Sequence, residues 1–559
     1  MESNIFKIVR VIVALLFFIP LLLIFCDFAG ILPRQLHGLA HMQVVPAILA
    51  CSIDIMIALF LLTFLYGRVY CSTICPLGVL QDIIAWFTRR GKKKNKKRRW
   101  YSYSKPQTIL RYSLLAVCVI FLIFGITIPL LYLDPYSNFG RIAVNLFRPV
   151  VIDGNNLVNG IAMKFHNYNF YHVSLYTVTS LSLAIAIIAL LIVGIMALLR
   201  GRLYCNTICP VGSLLGLISK FSVFKVMFDR EKCNSCKLCE RACKSQCINS
   251  KEKTIDHSRC VACYNCLDRC KLDAIGYNFA YKKNKGILAR HCEGEARSNL
   301  PPLTPPKGEN CSPPFGGGVG GEVPDCFLLR SSQFALTKHG RGRRSFLLTS
   351  AGAVATLPFI PAWAQKGEIV DAARLTPITP PGSQSLANFM KHCTACHLCI
   401  THCPMQVLKP AGFNFGFGYA FKPHLVFYES AYCNYKCTTC SEVCPTGAIK
   451  RLTTEQKIVT QIGIAHFDID RCIVNVDHTS CGACSEHCPT QAVKMEPFKD
   501  ALTIPHVYDD LCIGCGGCES ICPARPVKAI IVHASEVHQI AKKGEEEEIK
   551  EVKDLDFGF

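Results

Sequence analysis

The sequence predicts a membrane protein in which a four-helix transmembrane bundle carries α+β bacterial-type ferredoxin modules, one with two clusters and one with four. Three observations predict it. Four apolar stretches, at 11–28, 44–66, 113–133 and 173–199, each approach the ~20 residues that cross a bilayer core as a helix. Twenty-four of the 35 cysteines fall into six groups of four. Most groups are spaced C-x2-C-x2-C-x3-C, the run that holds a [4Fe–4S] cluster.

Lys7 and Arg10 precede the first stretch, a basic run at 89–99 joins the second to the third, and Arg200 and Arg202 follow the fourth. Positive residues mark the cytoplasmic flank of membrane helices. Both ends of the bundle are therefore expected in the cytoplasm, with 30–43 and 134–172 outside. Much of the net charge of +21 sits in that basic run. It reads as topology, compatible with anionic-lipid contact, and predicts no nucleic-acid partner.

Within this bundle domain, 1–220, a repeat closes the second and fourth stretches. Residues 67–80 read Gly-Arg-Val-Tyr-Cys-Ser-Thr-Ile-Cys-Pro-Leu-Gly-Val-Leu, and 201–214 read Gly-Arg-Leu-Tyr-Cys-Asn-Thr-Ile-Cys-Pro-Val-Gly-Ser-Leu. Two related helix pairs about a pseudo-two-fold axis follow from this. The repeat offers four candidate reactive thiols, Cys71, Cys75, Cys205 and Cys209. They would hold iron or a cluster, cycle as disulfides, or simply end the helices at proline. Asp54 lies at the middle of the second stretch, where an ionisable group is costly and its default role is functional. It is expected to accept a proton near a quinol. His37, His41, His166 and His172, on the outer side, are weaker candidates.

The first module, 221–285, carries Cys233, Cys236, Cys239, Cys243 and Cys260, Cys263, Cys266, Cys270. Three cysteines two residues apart wrap one corner of a cubane, and the fourth ligates the neighbouring cluster. Cys270 is thus expected with the first trio and Cys243 with the second. Lys244 and Lys271 stand where proline usually follows, and Cys247 is a possible substitute ligand. A Pro/Gly-rich stretch at 286–337 cannot bury a core and reads as a linker. Residues 338–364 pair arginines with a short apolar run and Ala362-Trp363-Ala364, which predicts a twin-arginine export signal or a fifth membrane segment.

The second module, 365–540, is expected on the exported side. It carries Cys393, Cys396, Cys399, Cys403; Cys433, Cys437, Cys440, Cys444; Cys472, Cys481, Cys484, Cys488; and Cys512, Cys515, Cys518, Cys522. Structural zinc also uses C-x2-C, but six repeated groups and Pro404, Pro445, Pro489 and Pro523 favour iron–sulfur clusters. The long gap from Cys472 to Cys481 leaves a [3Fe–4S] or altered cluster open. Cys393 to His397 matches a haem-attachment pattern, but both cysteines already belong to a ferredoxin run. The tail, 541–559, is a solvated charge run.

Residues 1–280 resemble NapH, the membrane ferredoxin of a quinol dehydrogenase, through the four helices, the two C-x3-C-P motifs and the two-cluster module. Residues 338–535 resemble its exported four-cluster partner NapG, and fusion in one chain departs from that pattern. Related methylamine-utilisation ferredoxins and NosR-type proteins share these parts. By analogy with four-cluster subunits, the second module is expected to pair its first group with its fourth and its second with its third. The resemblance implies about six [4Fe–4S] clusters, menaquinol as substrate, and contact with membrane lipid and the quinone pool. Electrons would pass to a periplasmic reductase such as nitrate reductase, or to cytochrome c. The residues also admit quinone reduction from a cytoplasmic donor, or a redox sensor or oxidase maturation factor.

Overall fold

The computed structural model describes residues 2–90, 101–166, 168–175, 178–281, 374–428 and 431–543. The expected linker (286–337), the expected export signal (338–364) and the tail beyond 543 lie outside the described residues, as do Cys292, Cys311 and Cys326. The principal helices of the bundle are α1 (Glu2–Cys26), α2 (Ile53–Tyr66), α3 (Pro76–Arg90), α4 (Thr108–Ile123), α5 (Pro135–Ile142), α6 (Ser180–Arg200) and α7 (Pro210–Ser219). Within them, Ile5–Cys26 and Ser180–Arg200 are long and apolar enough to cross a membrane.

The other two expected spans are broken. The stretch at 44–66 divides into a short helix, Val44–Leu49, and the 14-residue α2. Between them Cys51 takes a left-handed φ of 53°, which no α-helix continues through. The stretch at 113–133 begins earlier, as α4, and breaks at Gly125 (φ 72°) before a second helix, Ile128–Leu133. Residues 135–142 are not an outer loop either. Every residue of α5 is buried, and the helix packs against α3 and α6. Its polar groups are satisfied from within. The Asp134 carboxylate accepts from the N–H groups of Tyr136 and Ser137, and Asn138 Nδ2 donates to the Tyr132 and Asp134 carbonyls.

The two modules are built from small two-stranded antiparallel sheets with the cysteine loops between them. In the first, β1 (Phe224–Phe228) pairs with β2 (Ile275–Phe279), with Val226 opposite Tyr277. In the second, β3 (Thr460–Phe467) pairs with β6 (Ile530–Ile540), and β4 (Val493–Pro497) with β5 (Thr503–Val507). One hydrophobic core runs without a break from α1 through α5 into the second module, and the first module adds a smaller core of its own.

The modules dock at opposite sides of the repeat. The Val223 N–H donates to the Phe64 carbonyl at 2.8 Å, which fixes the first module to α2. The second module is held by Thr127 Oγ1 to the Met390 carbonyl (2.9 Å), by Arg148 Nη2 to the Thr401 carbonyl (3.2 Å) and by the facing rings of His37 and His402 (2.9 Å between Nε2 atoms).

Candidate electron-transfer centres

The first module brings its thiols together as the spacing predicts. Cys233, Cys236 and Cys270 are neighbours of Cys239, and Cys243 stands among Cys260, Cys263 and Cys266. Cys247 lies close by, its Sγ 3.5 Å from that of Cys243. It is an additional buried thiol beside the second site.

The second module departs from the expected exchange. Cys444, from the second group, stands with Cys393, Cys396 and Cys399, and Cys403, from the first, stands with Cys433, Cys437 and Cys440. The last two groups exchange in the same way. Cys522 joins Cys472, Cys481 and Cys484, while Cys488 joins Cys512, Cys515 and Cys518. Two of these sets line compact cavities of their own. Pairing thus runs between neighbours in the chain, not first with fourth and second with third. The physical reason is reach: the cysteine-loop helices Leu398–Thr401 and Thr439–Val443 pack side by side, as do Ala483–Glu486 and Gly517–Ile521. The long Cys472–Cys481 gap is taken up by a short helix, Ile473–Val476, so the third site still has four thiols.

His397, next to Cys396, is buried. Its Nε2–H donates to the Phe421 carbonyl at 2.9 Å, and burial pushes its pKa down to about 3. Burial likewise raises the thiols of Cys399, Cys440 and Cys518. Thiols that resist ionisation in an apolar pocket are stable as thiolates when metal ligation compensates the charge.

The repeat builds a further centre between the modules. Cys71, Cys75, Cys205 and Cys209 are free, buried and mutual neighbours. Gly67 and Gly201 take matching left-handed φ values of 75° and 70°, turning each helix into its cysteine loop. Pro76 and Pro210 then start α3 and α7 at the position where a missing N–H costs nothing.

The two arginines cross over between the repeats. Arg68 Nη2 donates to the Cys205 carbonyl at 3.1 Å, and Arg202 Nη1 to the Cys71 carbonyl at 2.6 Å. Each also approaches the sulfur of its own repeat, Arg68 at 3.7 Å from Cys71 and Arg202 at 4.0 Å from Cys205. The crossing depends on two glycines: a Cβ at Gly78 would collide with the Cys71 carbonyl and Arg202, and one at Gly212 with the Cys205 carbonyl and Arg68.

The charges of the two arginines are met differently. Arg202 Nε pairs with Asp82 at 2.9 Å, while Arg10 and Lys244 approach the other oxygen of Asp82 at 3.0 and 3.2 Å. Arg68, fully buried, binds Asn206, the Ser258 and Cys205 carbonyls and the Cys71 sulfur, and among the described residues no carboxylate pairs with it. A buried cation without an acid needs another negative charge. Thiolates around a cluster supply one.

Gly212 N–H also donates to Cys209 Sγ at 3.3 Å, and the Gln81 amide lies 3.5 Å from Cys205 Sγ. Among the described residues, no three His, Cys, Asp or Glu side chains stand at the spacing of one bound metal ion. That holds in the ferredoxin groups and here alike.

Contacts lead from this centre to both modules. Toward the first, the Arg202 N–H donates to the Lys244 carbonyl (3.1 Å), next to Cys243, and Arg68 Nη1 to the Ser258 carbonyl (3.0 Å), two residues before Cys260. Toward the second, the Tyr204 hydroxyl donates to the Leu133 carbonyl (2.9 Å) and accepts from Asn138 of α5 (3.4 Å). Tyr136 of the same helix neighbours Cys396 and Cys444, and a Cβ at Gly140 would collide with the Cys396 carbonyl.

Asp54 does not stand in the middle of a helix. It occupies the first turn of α2 and is exposed. The break at 50–52 moves the helix start to within two residues of it. Cys118 is buried in the apolar core, as a packing residue would be, while Cys26 is buried near Arg148.

Residues 53–95 and 181–228, the two halves of the repeat, match a 4Fe-4S binding domain family, and residues 479–527 match a 4Fe-4S dicluster domain family. The chain is 28% identical over 284 residues to an uncharacterised protein of Methanocaldococcus jannaschii, covering 50% of this chain and 90% of that one. It is 25% identical to the putative electron transport protein YccM of Escherichia coli, over 40% of this chain and 55% of that protein. It is 26% identical to the ferredoxin-type protein NapH of the same organism, over 38% and 64% respectively. No solved structure matches. The chain is an iron–sulfur electron-transfer protein related to these ferredoxin-type proteins.

Proposed function

We propose that the chain oxidises menaquinol at the membrane and conducts its electrons from the first ferredoxin module, through the four-thiol centre, to the second module. A periplasmic reductase such as nitrate reductase, or a cytochrome c, would then receive them. The observation that carries this reading is the unbroken chain of contacts from Cys243 and Cys260, through Arg68, Arg202 and the four thiols, to Tyr204, α5 and Cys396. A ~30 Å hydrocarbon core would otherwise separate the two modules. A cluster held by the four thiols of the repeat would bridge that gap.

Iron–sulfur clusters, when bound, supply one-electron carriers at these thiols. The protein's own part is to bury them, to hold them by short contacts and to balance their charge. Arg68 and Arg202 do this at the central site, and tight packing of α5 excludes water between it and the second module.

The test is anaerobic addition of a menaquinol analogue to the oxidised full-length chain in detergent, followed by electron paramagnetic resonance. Inhibitor-sensitive appearance of reduced-cluster signals supports the reading. With all clusters present, absence of reduction at any quinol concentration removes it.

A further inference from the structure

A cavity of about 780 Å³ opens between α1, α3 and the first ferredoxin module, and none of the centres above uses it. Its size lies in the range of pockets that enclose a small organic ligand. Val11, Ala14 and Leu15 of α1 face Val79, Ile83 and Phe87 of α3 across it. Ala14 and Val79 are buried, while Leu15 and Phe87 are 42% and 66% exposed. The apolar walls therefore run from the interior to an open side on the apolar flank of the bundle. That shape suits a ligand with a long apolar tail.

The inner end is polar and adjoins the cluster-holding thiols. Leu238 and Ala242 line it, each next to a cluster cysteine (Cys239 and Cys243), and so does Asn265, beside Cys266. Arg10 lines it too. This side chain is 92% buried, and its Nη1 is committed to Asp82 (3.0 Å) and the Ser72 carbonyl (3.3 Å), yet its Nε–H has no acceptor. A buried donor left unpaired is costly, so a ligand oxygen there would be favoured.

Lys7 pairs with Asp268 at 2.8 Å, and Arg10 and Lys244 both face Asp82. Arg241 and Arg269 line the cavity as well, so its inner end is rich in donors to which the oxygens of a quinone ring would be acceptors, and the phospholipid alternative is an outcome of the test below.

We propose that this cavity is the quinone site: an isoprenoid quinone or quinol places its ring against Arg10 and the Leu238–Lys244 segment, with its tail leaving between Leu15 and Phe87. This rests on the quinol-oxidising reading above and gives that reading a place. It puts the ring beside the first module, at the end of the bundle opposite the second. Asp54 has no part in it, being at the start of α2 and absent from the lining.

The experiment is photoaffinity labelling of the full-length chain in lipid nanodiscs with an azido-naphthoquinone, mapped by peptide mass spectrometry. Bound quinone is measured by extraction in the same samples. Labels on peptides spanning 7–15 and 79–87, displaced by excess menaquinone analogue, are expected. V11W, which fills the cavity from a part-exposed position, should lower both labelling and bound quinone at least tenfold with the cluster spectrum unchanged. R10M should weaken labelling as well. Competed label only elsewhere, or V11W with unchanged quinone, overturns the site. So does a V11W variant that releases anionic phospholipid while keeping its quinone, which would make the cavity a lipid site. Quinol reduction of the clusters is followed in parallel. If it is intact while the labels lie elsewhere, the site fails and the function stands. If it is absent while the cavity is labelled, the function fails and the site stands.

Discussion

Replacing Asp82 by Asn should loosen the first module from the bundle. Asp82 is the one acid meeting three cations, Arg202 at 2.9 Å, Arg10 at 3.0 Å and Lys244 at 3.2 Å, and the four side chains are between 0% and 16% exposed. At about 3 Å and an effective dielectric near 20, each pair attracts by roughly 5 kcal/mol before desolvation is counted. Removing the acid from a buried ion pair leaves uncompensated charge, and the measured net cost is about 3–5 kcal/mol. Here the orphaned cations also repel one another, which argues for the upper end. Lys244 follows Cys243 directly, so the loss falls on the joint between bundle and module. At 1.4 kcal/mol per decade, the opening equilibrium should rise by roughly 100- to 3,000-fold. Hydrogen exchange read by mass spectrometry at 238–248 reports it, with Asp82→Glu as the charge-preserving control. Unchanged exchange in the Asn variant, with iron retained, would refute the charge-node argument.

Three further outcomes follow from the geometry. Cys444→Ser should produce the same spectroscopic loss as Cys393→Ser, and Cys403→Ser the same loss as Cys433→Ser; if Cys522→Ser instead matched Cys393→Ser, the neighbour exchange would be wrong. Gly212→Ala forces a Cβ into the Cys205 carbonyl and Arg68, so iron at the central site should fall sharply while the ferredoxin signals persist, as read by Mössbauer spectroscopy. Burial holds the His538 pKa down at about 4, and Thr379 lies 2.8 Å from its Nε2. The unfolded chain then binds the extra proton first, so second-module stability is full above about pH 6.5 and falls as pH drops toward 4, by at most about 3 kcal/mol. His538→Gln should flatten that slope in pH-dependent thermal melts.

Local spacing made the cysteine trios legible, because three thiols two residues apart can wrap only one cluster corner. The fourth cysteine was not legible in the second module. Which neighbour receives it depends on how two loop helices pack, and Cys403 and Cys444 carry no local mark of that. The repeat was visible at once, but Arg202 read as a flanking charge when it is a fully buried partner of the Cys71 carbonyl. Its signal was present in the sequence, since Gly-Arg opens both copies. Residues 135–142 read as an outer loop because their polar composition gives no apolar run; Asp134, Asn138 and Arg141 satisfy the polar groups inside the fold. Apolar length likewise concealed the helix breaks, although Gly125 was an available sign of one of them.

The central claim is that electrons pass between the modules through the four thiols. The most direct test is rapid-freeze electron paramagnetic resonance after mixing the chain with a menaquinol analogue, comparing the native protein with Cys71→Ser and Cys205→Ser. Signals from the first module should appear in all three, and signals from the second in the native protein alone. Second-module reduction at the native rate in both variants would contradict the account.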